Sequence, residues 1–512
     1  MQLKRIGIPA TLSALFFLCA GLAVLPYPGL QNDEAIFVPP LYSPVITATY
    51  QIGQVPVMLM DYAGCLKAWL YAPIFAVFPP SVWSIRLPVL LVGTLSVALF
   101  TILLSRIAGT RAAFIGGTLL ATDPVFALTN NFDWGPVALQ HFLLLAGLFA
   151  IHLFHKTAAS LWLAIAGFSF GLALWDKALF LWLLVPLFAV SLLLWRRQLT
   201  AVLLNTRQLT AASLGFLIGA APLLIFNFTH QWITFHSHAV FTLADLSAKL
   251  MTLHYTANGS VMFGYMVEGK KRTDLLEWGF ALALCLLPFV WRSPARRPAL
   301  FSLFVLGAAW AQMVVTSAAG GAAHHAILLW PFPQLLIAVV LAQYRRIGPV
   351  VAVTLVLANL LVCYQYWSNL RQVGTSLVWT DAITPLSADR NLAQADLVCI
   401  ADWGVISQLI TLHKGLLPIE AELETLSVDK PTPDQLDSLR RHLHHPKAVW
   451  VSHPDGKEFF SGVNRRLLRI AHAESLKKVS LHIYPDTHGH PALELFRFAP
   501  LDFKNSIAKP SE

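Results

Sequence analysis

Eleven apolar runs, each close to the length that crosses a bilayer, constrain this chain more than any other feature. A spanning helix needs about 20 predominantly apolar residues. Runs of that kind cover about 7–26, 84–105, 112–129, 135–154, 159–175, 178–195, 208–228, 275–291, 299–318, 325–343 and 348–367. Charged residues make up 12% of the 512, where soluble chains carry about 25%. So much apolar surface is expected to face lipid rather than a larger soluble core. The expected fold class is a polytopic α-helical membrane protein of about 11 transmembrane helices. The basic start MQLKR imitates a signal peptide, but the apolar stretch behind it is longer than a usual h-region and no small-residue cleavage site follows. It is expected to remain as the first helix.

Orientation follows from Lys and Arg in the short loops. Alternate loops carry Lys4 and Arg5; Arg106 and Arg111; Lys156; Arg196, Arg197 and Arg207; Arg292, Arg296 and Arg297; Arg345 and Arg346. The opposite connections TNNFDWGP and GGAAHH carry none, and WDK carries one. This predicts a multi-pass protein with a cytoplasmic N-terminus and, with an odd number of spans, an external C-terminus. The net charge of +9 is mostly this asymmetry, and no basic–aromatic motif points to nucleic acid. The five cysteines, at 19, 65, 285, 363 and 399, contain no CxxC pair, and only location would favour joining Cys65 to Cys399.

Two domains are expected, 1–367 in the membrane and 368–512 outside it. Within the first, the connection 27–83 contains YAGCLKAWLYAPIFAVF, apolar and too short to span, which predicts interfacial helices with Trp69 and Tyr71 at headgroup level. A second external loop, 229–274, is rich in His and aromatic residues. Beyond Trp367 hydrophobicity falls. There DLVCIAD and KAVWVS read as strands, GVISQLITLHKG and KEFFSGVNRRLLRIA as helices, and KKVSLHIYP with ALELFRFAP as a terminal strand pair. Strands alternating with helices predict a C-terminal extracytoplasmic α/β domain. The HLHH run at 442–445 matches no zinc spacing and is expected to be a solvated face.

Ionisable residues gather at the external ends of the spans. Asp33 and Glu34 follow the first span, with Lys67 and Arg86 later in the same connection. Asp133 lies in NNFDWGP, Asp176 and Lys177 in LALWDKALF, and His324 and His325 in GGAAHHAILLWPFP. Each has a plain structural role available. Asn32 or Asp33 would cap a helix whose first turn holds Glu34, Arg86 would snorkel, and Asp176 with Lys177 would be an interfacial pair. Charges at membrane depth are costly and usually face a cavity or a partner, and their accumulation on one side predicts a shared external cavity. Acids, cations and lipid access together suit glycosyl transfer from a polyprenyl-phosphate sugar. A carboxylate takes the acceptor hydroxyl's proton, while cations stabilise the phosphate leaving group. A transporter or flippase for an amphipathic lipid or glycolipid is the alternative. Transporters show internal repeats and mid-membrane broken helices, whereas no repeat is evident here and the charges collect at one face. A catalytically silent scaffold is a third, weaker option.

The order NDEAIF, YAGCLKAWLYAPIF, SVWSIRLPVLLVGTL, NNFDWGP, GLALWDKALFLW, APLLIFNFTHQWITF, HHAILLWPFPQLLIA resembles the C-type glycosyltransferase superfamily, in its branch of protein O-mannosyltransferases and lipid A aminoarabinose transferases. The resemblance covers residues 1 to about 367, and VCIADWGVISQLITLHKG is similar to the start of an external domain found in some bacterial members. It implies an inverting transferase with Asp33 as general base, Glu34 beside it and Asp133 contributing. It also implies that Lys67, Arg86 and Lys177 bind the donor phosphate. Tyr62, Asp176, His324 and His325 join as pocket candidates. The proline pair that accompanies the basic residue in the family is absent from GCLKAW. No cofactor is required by the resemblance, and a divalent metal at Asp33, Glu34 or His324 stays open. The implied partners are a polyprenyl-phosphate sugar donor and a lipid, glycan or protein acceptor.

Overall fold

The structure, a computed structural model, describes residues 2–43 and 47–502. Contacts divide the chain into two compact units, one of Met1–Pro26 with Ser43–Gln372 and one of Tyr27–Tyr42 with Val373–Glu512. The segment Tyr27–Tyr42, expected within the membrane part, therefore groups with the C-terminal residues.

The first unit is helical. Among the described residues, seven helices are long and apolar enough to cross a membrane: Gly7–Val24, Val82–Ala108, Val137–Thr157, Thr206–Thr229, Arg296–Val314, Ala323–Leu341 and Ile347–Gln372. An eighth counts if Ala178–Leu194 and Arg196–Leu204, bent by 109°, form one span. Eleven were expected, and the difference lies in breaks that hydropathy does not register. The run 112–129 is cut where Asp123 ends Thr110–Thr122 and caps Pro124–Thr129, its Oδ1 accepting from the Phe126 amide at 2.9 Å. Pro124 at the first helical position has no N–H to leave unpaired. Ser160–Asp176 stops because Lys177 turns extended (φ −154°, ψ 117°) and bridges antiparallel to Ala63. This helix and Leu276–Val290 are apolar but shorter than the other spans.

Ser160–Asp176 packs against Thr206–Thr229 at backbone contact. A Cβ at Gly167 would strike the Ala212 carbonyl, at Gly171 the Phe216 carbonyl, at Gly215 the Ala164 carbonyl and at Gly219 the Phe168 carbonyl. Each helix thus presents a small-xxx-small pair, GFSFG and GFLIG. Without a hydrophobic drive between helices in lipid, such close approach supplies the van der Waals contact that holds them.

The connection after residue 43 differs from the interfacial helices expected. It forms a three-stranded antiparallel sheet, β1 (Tyr50–Ile52), β2 (Val55–Met60) and β3 (Ala63–Gly64), before the helix Leu66–Val77. Trp69 is exposed, with its indole donating to the Pro56 carbonyl at 2.7 Å. Tyr71, expected at the same level, is buried and donates to the Ile85 carbonyl at 2.6 Å.

The second unit holds a five-stranded sheet in the order β5-β4-β6-β8-β7. Its strands are β4 (Leu397–Ile400), β5 (Ile419–Ala421), β6 (Ala448–Ser452), β7 (Leu476–Pro485) and β8 (Pro491–Pro500). β5, β4 and β6 are parallel, and β8 pairs antiparallel with both β6 and β7. The expected strands and helices are present. The exceptions are β5, too short to stand out in the sequence, and the start of the last helix. That helix begins only at Val463, because Gly462 at φ 88° leaves the helical region.

Candidate functional site

In the first unit the geometry centres on the turn Phe132–Gly135. It lies between the helices Pro124–Thr129 and Val137–Thr157. Asp133 adopts φ 48° and Gly135 φ 75°, left-handed values that Asp and Gly tolerate best. Four residues of this turn each meet one of the basic side chains expected from the sequence. The Arg86 guanidinium lies 4.8 Å from the Phe132 ring centre. The Lys67 ammonium forms an ion pair with Asp133 Oδ2. The His324 ring meets Trp134 edge-on at 4.8 Å, and Lys177 Nζ donates to the Gly135 carbonyl at 3.3 Å. The φ of 75° favours glycine at 135, where a Cβ would also press on His324 at 3.0 Å and Lys177 Nζ at 3.2 Å.

All three cations are buried, Arg86 at 0%, Lys177 at 3% and Lys67 at 4% exposure. Burial of this depth requires partners. Arg86 finds the Leu25 carbonyl at 2.9 Å, and the second oxygen of Asp133 accepts from the Ala138 amide at 3.1 Å. Asp176 is also fully buried, and its Oδ2 accepts from Gln140 at 3.1 Å. Its Oδ1, with Nδ1 of His324 and of His325, has no hydrogen-bond partner among the described residues. Buried polar atoms normally have a hydrogen-bond partner. Tyr62 faces a small cavity of about 30 Å³ with Trp182, Thr234 and His238, and its carbonyl accepts from the Ala178 amide, next to Lys177, at 2.8 Å.

Asp33 and Glu34 lie in the second unit. The expectation that Asn32 or Asp33 caps the short helix is corrected: Gln31 does so, its side chain accepting from the Asp33 and Glu34 amides. Glu34 is buried and its Oε1 accepts from the Gln31 amide at 2.9 Å, completing a capping box. Glu34 is thereby committed to backbone, whereas the half-buried Asp33 side chain takes no part in the box. The segment is fixed within its unit by Ser407 N donating to Asn32 Oδ1 at 3.3 Å and Gln408 Nε2 to the Leu30 carbonyl at 3.4 Å.

Sequence inspection missed Gln140, which orients Asp176 and also donates to the Ala173 carbonyl at 2.6 Å. It missed the pairing of His238 with Asp61 at 2.9 Å as well. An isolated Gln in an apolar run was the available signal for the first. Nothing local connects residues 61 and 238. Among the described residues, one group of three His, Cys, Asp or Glu side chains comes within reach of a single ion, Cys399 with Glu422 and His442. It includes none of Asp33, Glu34 and His324.

Residues 64–226 match the family described as dolichyl-phosphate-mannose-protein mannosyltransferase. A comparison with curated proteins finds none that matches. Among solved structures, the chain is similar to ArnT from Cupriavidus metallidurans bound to undecaprenyl phosphate. The TM-score is 0.64 at 15% identity, over 98% of this chain and 99% of that one. It is also similar to the arabinofuranosyltransferase AftD from Mycobacteria, at 14% identity over 96% of this chain and 41% of that one, with a TM-score of 0.41 too low to carry weight. Over residues 64–226 the sequence thus resembles a membrane mannosyltransferase family, and along nearly its whole length the chain shares the fold of ArnT.

Proposed function

We propose that the protein transfers a sugar from a polyprenyl-phosphate carrier to a lipid, glycan or protein acceptor on the extracytoplasmic face of the bacterial inner membrane, with inversion. The observation that carries this is the meeting of Arg86, Lys67 and Lys177 on the one turn Phe132–Gly135. Preorganised cations in a dry site are what a departing polyprenyl phosphate needs as charge develops on it. In this role Asp133 serves as counter-ion to Lys67 until the donor phosphate takes over that charge. Asp33 is the general base that removes the acceptor proton as the acceptor oxygen attacks the anomeric carbon, and Glu34 shapes the turn that presents it. Asp176, His324 and His325 supply hydrogen-bonding groups for the sugar. The fold likeness to a structure holding undecaprenyl phosphate supports this class of carrier.

The test is transfer of radiolabelled sugar from a panel of polyprenyl-phosphate sugars, with membrane extract supplying acceptors. Purified protein should move label and Asp33→Asn should not. Folded wild type that transfers from no donor would overturn the proposal. A product that retains the donor's anomeric configuration would exclude direct displacement.

A further inference from the structure

We infer that Cys399, Glu422 and His442 form a binding site for a thiophilic divalent metal, with zinc the best fit to the donor set. The thiol sulfur, a carboxylate oxygen and an imidazole nitrogen lie within 4.8 Å of one another. They come from three separate elements. Cys399 is on β4, in a core cluster with Leu426, Leu439, Leu443 and Trp450. Glu422 directly follows β5 and is held beside β4 by its own amide, which donates to the Ile400 carbonyl at 2.9 Å. His442 occupies the last turn of the helix Pro433–Leu443, whose buried Leu439 and Leu443 fix its rotation. The His442 Nδ1 already pairs with Glu422 Oε1.

Thiolate and imidazole donors select zinc over magnesium or calcium. Zinc binds sulfur at about 2.3 Å, imidazole nitrogen at about 2.0–2.1 Å and carboxylate oxygen at about 2.0–2.2 Å. Three ligands on a tetrahedral ion would therefore stand roughly 3.3–3.7 Å apart, so closing on the metal asks for shifts on the order of 1 Å. Cys399 and Glu422 are buried at 0% and 3% exposure, while the His442 side chain is 20% exposed and leaves a route for the ion. On binding, the thiol proton goes to solvent as the sulfur–metal bond forms. Three protein ligands leave the fourth position to a water. The ion would tie β4, β5 and the helix Pro433–Leu443 together, independently of glycosyl transfer.

The test uses the full-length detergent-purified chain, stripped with chelator and titrated with Co²⁺, together with zinc analysis of the unstripped protein. Expected are one zinc per chain and a thiolate-to-cobalt charge-transfer band in the near ultraviolet. Cys399→Ser should abolish the band. His442→Gln, at the most exposed of the three ligands, should weaken binding by more than the roughly 10–100-fold typical of outer-shell changes, and keeps the test decisive should the Cys399 variant misfold. Absence of stoichiometric uptake by folded wild type overturns the site, as does a band unchanged in His442→Gln. Either result would mean that Glu422 and His442 are only a hydrogen-bonded pair beside a core thiol.

Discussion

Replacing Lys67 by methionine keeps most of the side chain's volume and removes only its charge, so it isolates the buried ion pair with Asp133. The two side chains are 5% and 2% exposed. Breaking a buried pair by deleting one partner costs about 3–5 kcal/mol, because the other charge is left unpaired. Asp133 keeps the Ala138 amide on Oδ1, which places Lys67→Met near 3 kcal/mol, roughly a 100-fold shift in the opening equilibrium at 1.4 kcal/mol per tenfold. Asp133→Asn should cost less, since Lys67 retains the Tyr71 ring 5.6 Å away. The double variant should be milder than Lys67→Met alone, the non-additivity expected of direct partners. Cys65, two residues before Lys67, supplies a local reporter: it is 1% exposed and burial pushes its thiol up to about 12. With Cys19, Cys285 and Cys363 replaced, maleimide labelling of Cys65 should accelerate about 100-fold in Lys67→Met and recover in part in the double variant. Cys399 in the second unit, 0% exposed, serves as internal control. Additive effects of the two substitutions, or an unchanged Cys65 rate, would refute the energetic account of the pair.

Three further outcomes are expected. Gly215→Leu would drive a side chain into the Ala164 carbonyl; overpacking of this kind costs about 1–3 kcal/mol or more, visible as a lowered melting temperature in detergent, while Gly307→Leu, with open space at its Cβ, should leave it unchanged. Glu34→Ala should loosen the segment Tyr27–Tyr42 by about 0.5–2 kcal/mol through loss of the capping box, read as faster amide exchange there. Asp33→Asn should remove transfer, and exchange unchanged by Glu34→Ala would contradict the role of Glu34 in the box. Asp274, outside the spans, has its carboxyl pushed up to about 8 by burial. Between roughly pH 4 and 8 the native state then holds a proton that the unfolded state has released, so this residue makes stability fall as pH rises through that window. Asp274→Asn should flatten the decline, and an identical pH profile for the variant would count against it.

Much of the fold was written in the sequence because its information is local. An apolar run near 20 residues must satisfy its backbone internally in lipid, and a helix does so; hence each predicted run is helical. The α/β alternation after residue 367 was legible for the same reason. Hydropathy did not reveal where Asp123 and Lys177 interrupt helices, because a cap or a single bridging residue barely alters a windowed average. Nor did it show that Gln31 and Glu34 complete a box with each other, a choice among several polar neighbours that packing settles.

What only the tertiary structure decided is which charges share a turn. Lys67, Arg86 and Lys177 are separated in sequence by many apolar residues, yet each finds its place on Phe132–Gly135. Cys399, Glu422 and His442 are spaced like no metal motif, yet they converge because β5 runs parallel to β4 and its end brings Glu422 alongside, where a helix carries His442 to it. Chain chemistry determines that such groups, once buried, need partners. Which partner each receives depends on contacts between distant residues, and those exist only after the helices and strands have packed.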